Sequence, residues 1–179
     1  MIMNLADSSE ELVGIAHELA DAAGAAILPY FRSDALDIQD KGGAGFDPVT
    51  AADRAAETAM RDILATRRPQ DSILGEEFGH ASGQSGVRWV LDPIDGTRAF
   101  MAGTATWGVL IAVGDETGPR YGIVDQPYTG ERFWGGFGKG GWRGPRGTGS
   151  LRTRRTERLD DAILFTTFPE IGTPADRAG

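Results

Sequence analysis

The chain has 179 residues, with 18 Lys and Arg against 26 Asp and Glu, two His and no Cys. That length suits one ordinary domain, or one and a fraction, and the lack of Cys excludes a disulfide framework and any thiolate-bound zinc or iron–sulfur centre. A net charge of −8 argues against general nucleic-acid binding, which needs a basic surface to displace counterions.

The opening stretch Met1–Glu10 has no basic segment followed by an apolar one, so it does not read as a secretory signal. From about residue 7 the spacing predicts a helix. Asp7, Ser8 or Ser9 can cap it, Glu10 and Glu11 suit its positive end, and Leu12, Ile15, Ala16, Leu19, Ala23, Ala26, Ile27 and Tyr30 repeat on one face. His17 falls mid-helix and reads as a partly exposed surface residue. A second helix is predicted after Asp47-Pro-Val-Thr50. Thr50 and Asp53 fit a capping box with Asp in place of Glu, Ala56, Met60, Ile63 and Leu64 form the buried stripe, and Pro69 ends it.

The period then shortens. Segments 72–77, 88–92, 107–113, 120–124 and 131–134 read as successive short strands, with Gly79 to Gly86 as a polar loop between the first two. The longest apolar run, Trp107–Val113, is far short of the roughly 20 residues a membrane helix needs. No membrane association and a cytoplasmic location are therefore expected. Two helices followed by strands on short connections predict an α+β fold, the helices packed on a mainly antiparallel sheet.

Residues 1–134 hold 21 acidic and 10 basic side chains, whereas 135–179 hold five and eight. Eight Gly crowd into 135–149, interleaved with Phe137 and Trp142, which predicts a tight hairpin with bulges in which those two rings pack. Arg152, Arg154, Arg155 and Arg158 then read as a solvated linker. Segment 161–168 looks like the first strand of a second unit. The expected division is therefore residues 1–150 as an α+β domain and residues 151–179 as the linker and start of a second α/β domain.

The chemistry lies in where the acids fall. Glu76 and Glu77 end one strand; Asp92 ends another, and Asp95 follows across a Pro93-Ile94 turn. Carboxylates delivered into one place repel one another and are costly to desolvate unless a cation is present. Oxygen donors without His or Cys point to Mg²⁺, Mn²⁺ or Ca²⁺, and the Ile94 carbonyl adds a neutral donor. Gly96 permits close backbone approach, and a helix starting there would offer N–H groups to an anion. Taken singly, Asp95-Gly96 is an ordinary turn, Glu76-Glu77 a solvated strand end and Asp53 an N-terminal helix residue. Their joint occurrence in this order favours phosphoryl chemistry.

Asp47-Pro-Val-Thr-Ala-Ala-Asp53, Gly75-Glu-Glu77 and Trp89-Val-Leu-Asp-Pro-Ile-Asp-Gly-Thr97 with Phe100 resemble the successive motifs of the inositol monophosphatase family. The likeness runs from about residue 10 to 168. Arg98, the run through Trp107-Gly108, and Asp40-Lys-Gly-Gly43 resemble its histidinol-phosphatase branch. The resemblance implies the N-terminal domain of the layered αβαβα sugar-phosphatase fold. It implies Mg²⁺, with Mn²⁺ as the alternative, held by Glu76, Asp92 and the Ile94 carbonyl, and a second ion between Asp92 and Asp95. It also implies Asp53 and Thr97 as the catalytic pair that orients and deprotonates a water, Thr97 donating its hydroxyl to Asp53. Glu76, Ile94, Asp95, Gly96, Thr97 and Arg98 would surround the substrate, with Lys41 and Glu77 beside the cluster.

The implied reaction is hydrolysis of a small phosphate monoester, L-histidinol phosphate first and inositol 1-phosphate or another sugar phosphate as the alternative, by a homodimer. The family supplies one more metal ligand, an Asp, from its C-terminal domain. Asp160, Asp161 and Asp176 lack that context, so the expectation is a C-terminally truncated chain. The reading from another class is a metal-binding domain without activity. His80 has a minor claim to touch substrate.

Overall fold

In the computed structural model, which describes residues 9–34, 38–40 and 48–163, helix α1 spans Ser9–Ile27 and buries Leu12, Ile15, Ala16, Leu19, Ala23 and Ile27. That is the predicted stripe with Ala20 and Gly24 added, except that Ala26 is only half-buried. Tyr30 lies beyond the helix, and Asp7 and Ser8 are outside the described residues. Two short antiparallel strands, β1 (Ile38–Asp40) and β2 (Pro48–Thr50), follow. Thr50 ends β2 and also caps α2 (Ala51–Arg67), so the pairing fixes where that helix starts. The Thr50–Asp53 capping box is present. Lys41 and Asp47 lie outside the described residues.

Eight strands form one sheet: β3 (Ser72–Gly75), β4 (Gly79–Ala81), β5 (Arg88–Asp95), β6 (Gly108–Asp115), β7 (Gly118–Gln126), β8 (Glu131–Gly136), β9 (Lys139–Gly144) and β10 (Gly147–Gly149). Their order is β10-β9-β8-β7-β6-β5-β3-β4. All neighbours are antiparallel except β3 and β5, which run parallel with Gly75 opposite Leu91. The expected α+β fold, two helices on a mainly antiparallel sheet, is what the chain adopts. The polar loop expected at Gly79–Gly86 is in part a strand, since Gly79, His80 and Ala81 pair with β3. Asp71 secures the return to β5 by accepting bonds from Ser85 Oγ (2.6 Å) and Trp89 Nε1 (2.9 Å).

The core lies between α1, α2 and one sheet face. Trp89, Leu91, Val109, Ile111, Val113, Tyr121 and Ile123 point into it and are buried, as period-2 alternation requires. On the opposite face Leu74, Val90 and Val124 are exposed. The Gly-rich stretch forms two successive hairpins rather than one. The first turns on Phe137-Gly138, both at positive φ (47° and 74°), the backbone that suits a two-residue hairpin loop. Its register runs unbroken from Gly136↔Lys139 to Arg132↔Arg143, so the expected bulges are not there. They fall in β5 and β7. The Phe137 ring stacks on Tyr121.

Residues 150–163 are exposed, with a 3₁₀ turn at Leu159–Asp161. Of the predicted strand over 161–168, Asp161 belongs to that turn, Ile163 is exposed, and the remainder lies outside the described residues. Among the described residues no helix is long and apolar enough to cross a membrane.

Candidate functional site

Four chain segments meet where β5 ends: the first turn of α2, the β3–β4 turn, the end of β5, and the short helix α3 (Thr97–Met101). Each is placed by local chemistry. At α2, Asp53 Oδ2 accepts from the Thr50 backbone N–H (2.8 Å) and hydroxyl (2.5 Å), and Thr50 Oγ1 accepts from Ala52 N–H (3.2 Å). Both side chains are buried. Burial raises the Asp53 pKa; the Thr50 bonds pull against it, and the Glu76 charge adds to it.

At the end of β5 the structure departs from the expected Pro93-Ile94 turn. Asp92 pairs with Leu110 and Asp95 with Gly108, so the strand continues through a bulge that carries one residue more than β6 opposite it. Pro93 cannot donate to a ladder, and a bulge is where a strand tolerates it. The insertion re-aims the side chains that follow, which is how bulges serve sites. Next, Gly96 sits at φ +90°, and a Cβ there would come within 2.9 Å of the Thr106 carbonyl oxygen. Only Gly fits this corner. Thr97 opens α3 and donates its hydroxyl to the Ile94 carbonyl at 3.1 Å. The expected bond from Thr97 to Asp53 is therefore replaced, because a hydroxyl has one proton to donate and Ile94 receives it.

Glu76 reaches the same place from the β3–β4 turn. Its backbone N–H donates to the Leu91 carbonyl at 3.1 Å, which sets it alongside Asp92. Burial first, then a hydrogen bond with Glu76 and the charges of Glu76, Asp95 and Asp53, push the Asp92 pKa up to about 8. Asp92 Oδ1 is buried without a hydrogen-bond partner. A buried acceptor left open among like charges is costly unless a cation meets it. This donor set, all oxygen, fits Mg²⁺ or Mn²⁺. Even so, among the described residues no group of three or more acidic or His side chains is arranged to hold a metal ion as it stands. The carboxylates share a neighbourhood without converging on one centre.

Asp95, Gly96 and Arg98 are exposed at the same corner, and Glu77 is half-buried in the β3–β4 turn. His80 is exposed on β4. His17 is half-buried, in keeping with the partly exposed position expected, but it has partners in the fold. Its ring meets Tyr121 Oη at 2.9 Å and Arg132 Nη1 at 3.3 Å. Arg can only donate, so Nδ1 accepts and Nε2–H donates to Tyr121. Burial, then the charges of Arg132 and Arg143, lower the His17 pKa.

The sequence reading missed Glu57 and Arg61. Glu57 is fully buried and accepts from the N–H groups of Glu77 (2.7 Å) and Phe78 (3.2 Å) and from Arg61 Nε (2.7 Å). The available signal was its position four residues after Asp53, on the same helix face.

A sequence model of the inositol monophosphatase family matches residues 8–175. A histidinol-phosphatase of Streptomyces coelicolor is 41% identical over 154 residues, 83% of this chain and 57% of that protein. An inositol-1-monophosphatase of Caulobacter vibrioides is 38% identical over 141 residues, covering 78% of this chain and 54% of that protein. Among solved structures, an inositol monophosphatase from Zymomonas mobilis superposes with a TM-score of 0.72 at 43% identity, over 89% of this chain and 59% of that one. The chain spans about half the length of the curated relatives it matches.

Proposed function

The chain belongs to the inositol monophosphatase family of metal-dependent phosphomonoesterases, and from that premise we propose that it carries the metal- and phosphate-binding half of an enzyme hydrolysing L-histidinol phosphate. The observation that carries the reading is the buried, unpartnered Asp92 Oδ1 among Glu76, Asp95 and Asp53. Glu76, Asp92, Asp95 and the Ile94 carbonyl would hold Mg²⁺, with Mn²⁺ as the alternative. When bound, the ion supplies a neutralising charge for the phosphate and acidity for a water.

The chain's own groups do the rest. Asp53, anchored through one oxygen by Thr50, takes the proton of the attacking water. A hydroxyl that donates one bond keeps acceptor capacity, so Thr97, which donates to Ile94, orients that water. Backbone N–H groups of Gly96 and Thr97 meet phosphate oxygens, and Arg98 extends toward the rest of the substrate. Lys41 and Glu77 adjust the charge around the cluster. A homodimer in the cytoplasm is the accompanying proposal.

Histidinol phosphate is favoured by Arg98, by the Trp107-Gly108 run, and by the likeness to the Streptomyces coelicolor protein. Likeness to the Caulobacter vibrioides and Zymomonas mobilis proteins supports inositol 1-phosphate as a second reading. The test is phosphate release from both substrates, with and without Mg²⁺, beside an Asp92→Asn control. Mg²⁺-dependent release abolished in the control is expected, and the faster substrate selects the branch. No release by a folded, Mg²⁺-binding chain would favour the third reading, a metal-binding domain without activity of its own.

A further inference from the structure

Helix α2 presents Asp53, Glu57 and Arg61 at successive turns, toward the end of β5 and the β3–β4 turn. Glu57 takes up two consecutive peptide N–H groups of that turn, from Glu77 and Phe78. Arg61 binds the same carboxylate and donates Nη2 to the Gly79 carbonyl at 2.5 Å. Gly75, on the other side of Glu76, has no room for a Cβ, because Glu57 Oε1 occupies that space. Glu76 thus has both neighbours pinned against Glu57, while its own N–H is tied to Leu91, one residue before Asp92.

We propose that Glu57 is a positioning residue for divalent-cation binding, holding the Glu76 backbone beside Asp92 through the amides of the β3–β4 turn. This rests on Glu76 and Asp92 as cation ligands, the reading given under Proposed function. Outer partners that orient ligands set affinity because the ligand then needs no ordering when the ion arrives. A carboxylate is required here because all of its neighbours donate. Gln offers a single acceptor oxygen and would turn its NH₂ toward a donor.

The test uses the 179-residue chain with Glu57→Gln and Glu57→Asp. Amide exchange at Glu77 and Phe78 is read without metal, Mn²⁺ affinity by water-proton relaxation, and Tm in parallel. Glu57→Gln should speed exchange at both amides about 10- to 100-fold, the loss of a charge-assisted bond. It should weaken Mn²⁺ binding by about 10- to 100-fold. Glu57→Asp, which keeps the charge on a shorter stem, should fall between and guards against a variant that does not fold. A lowered Tm with wild-type exchange and wild-type Mn²⁺ affinity would overturn the proposal, leaving Glu57 a stabilising residue only. Asp92→Asn separates the two claims. If the unaltered chain binds Mn²⁺ no better than that variant, the ligand reading fails and cation binding falls with it. Exchange at Glu77 and Phe78 then still shows whether Glu57 holds the turn.

Discussion

Two charge clusters among the described residues are built on opposite plans, one around the buried Arg132–Asp125 pair and one half-open around Asp92. Where α1 meets β7 and β8, Arg132 is bound by Asp125 (2.5 Å), by Asp21 (2.7 Å) and by the His17 carbonyl (3.2 Å). Positive and negative groups alternate there, and the buried donors have acceptors. At the end of β5 carboxylates predominate. Asp92 sits among Glu76, Asp95 and Asp53, and one of its oxygens has no partner. A balanced cluster is what a fold needs to tolerate buried charge. An unbalanced one must either hold a proton between its acids or take up a cation, and such clusters gather at functional sites.

The largest expected effect falls on the balanced cluster. Asp125→Asn leaves buried Arg132 short of its closest charge partner, and breaking such a pair costs about 3–5 kcal/mol. Chemical denaturation would show it as a shift in midpoint at constant slope. A loss below about 1 kcal/mol would mean that Asp21 alone suffices, and the contrast would weaken. Gly96→Ala comes next. It forces a Cβ into a left-handed position against the Thr106 carbonyl, which costs about 1–3 kcal/mol and should also displace the start of α3. Thr50→Ala should cost about 1 kcal/mol through the lost cap, and it releases an Asp53 oxygen now bound by the hydroxyl.

The smallest effects are differences in pH slope between the chain and single variants, and the two clusters should give opposite signs. The His17 pKa is lowered on folding, so its contribution is present above the unfolded value and is lost as pH falls through that range. His17→Gln should flatten this acid limb. The Asp92 pKa is raised on folding, from the ordinary 3.8 to about 8. Its contribution in the metal-free chain is therefore complete below 3.8 and is lost as pH rises toward 8. Stability measured against pH in EDTA for the chain, His17→Gln and Asp92→Asn checks both signs. Two slopes of the same sign would refute the comparison.

Much of the scaffold is legible in the sequence because it is locally encoded. The stripe from Leu12 to Ile27 and the Thr50–Asp53 box need only neighbours three or four residues away. What escaped depends on distant partners. Gly79-His80-Ala81 has no strand pattern of its own and pairs because β3 presents it with an edge. Pro93 reads as a stop, yet pairing resumes at Asp95 because β6 continues opposite it. His17 reads as a surface residue because Tyr121 and Arg132 lie more than a hundred positions away. The run of acids at the site is visible as a pattern. Glu57 is not, since a helical Glu is ordinarily solvated and only the fold shows it buried behind a turn.

The most direct test of the central claim, that the β5 cluster binds a cation, is thermal unfolding of the chain and Asp92→Asn in EDTA and in excess Mg²⁺. Asp92→Asn is expected to be at least as stable as the unaltered chain in EDTA, because Asn stays neutral where burial and the neighbouring carboxylates disfavour an ionised Asp92. Mg²⁺ is expected to stabilise the unaltered chain, by about 2.7 kcal/mol at a hundredfold excess over Kd, and to leave Asp92→Asn unchanged. A chain indifferent to Mg²⁺, together with an Asp92→Asn variant that is less stable in EDTA, would contradict it and make the cluster an ordinary structural one.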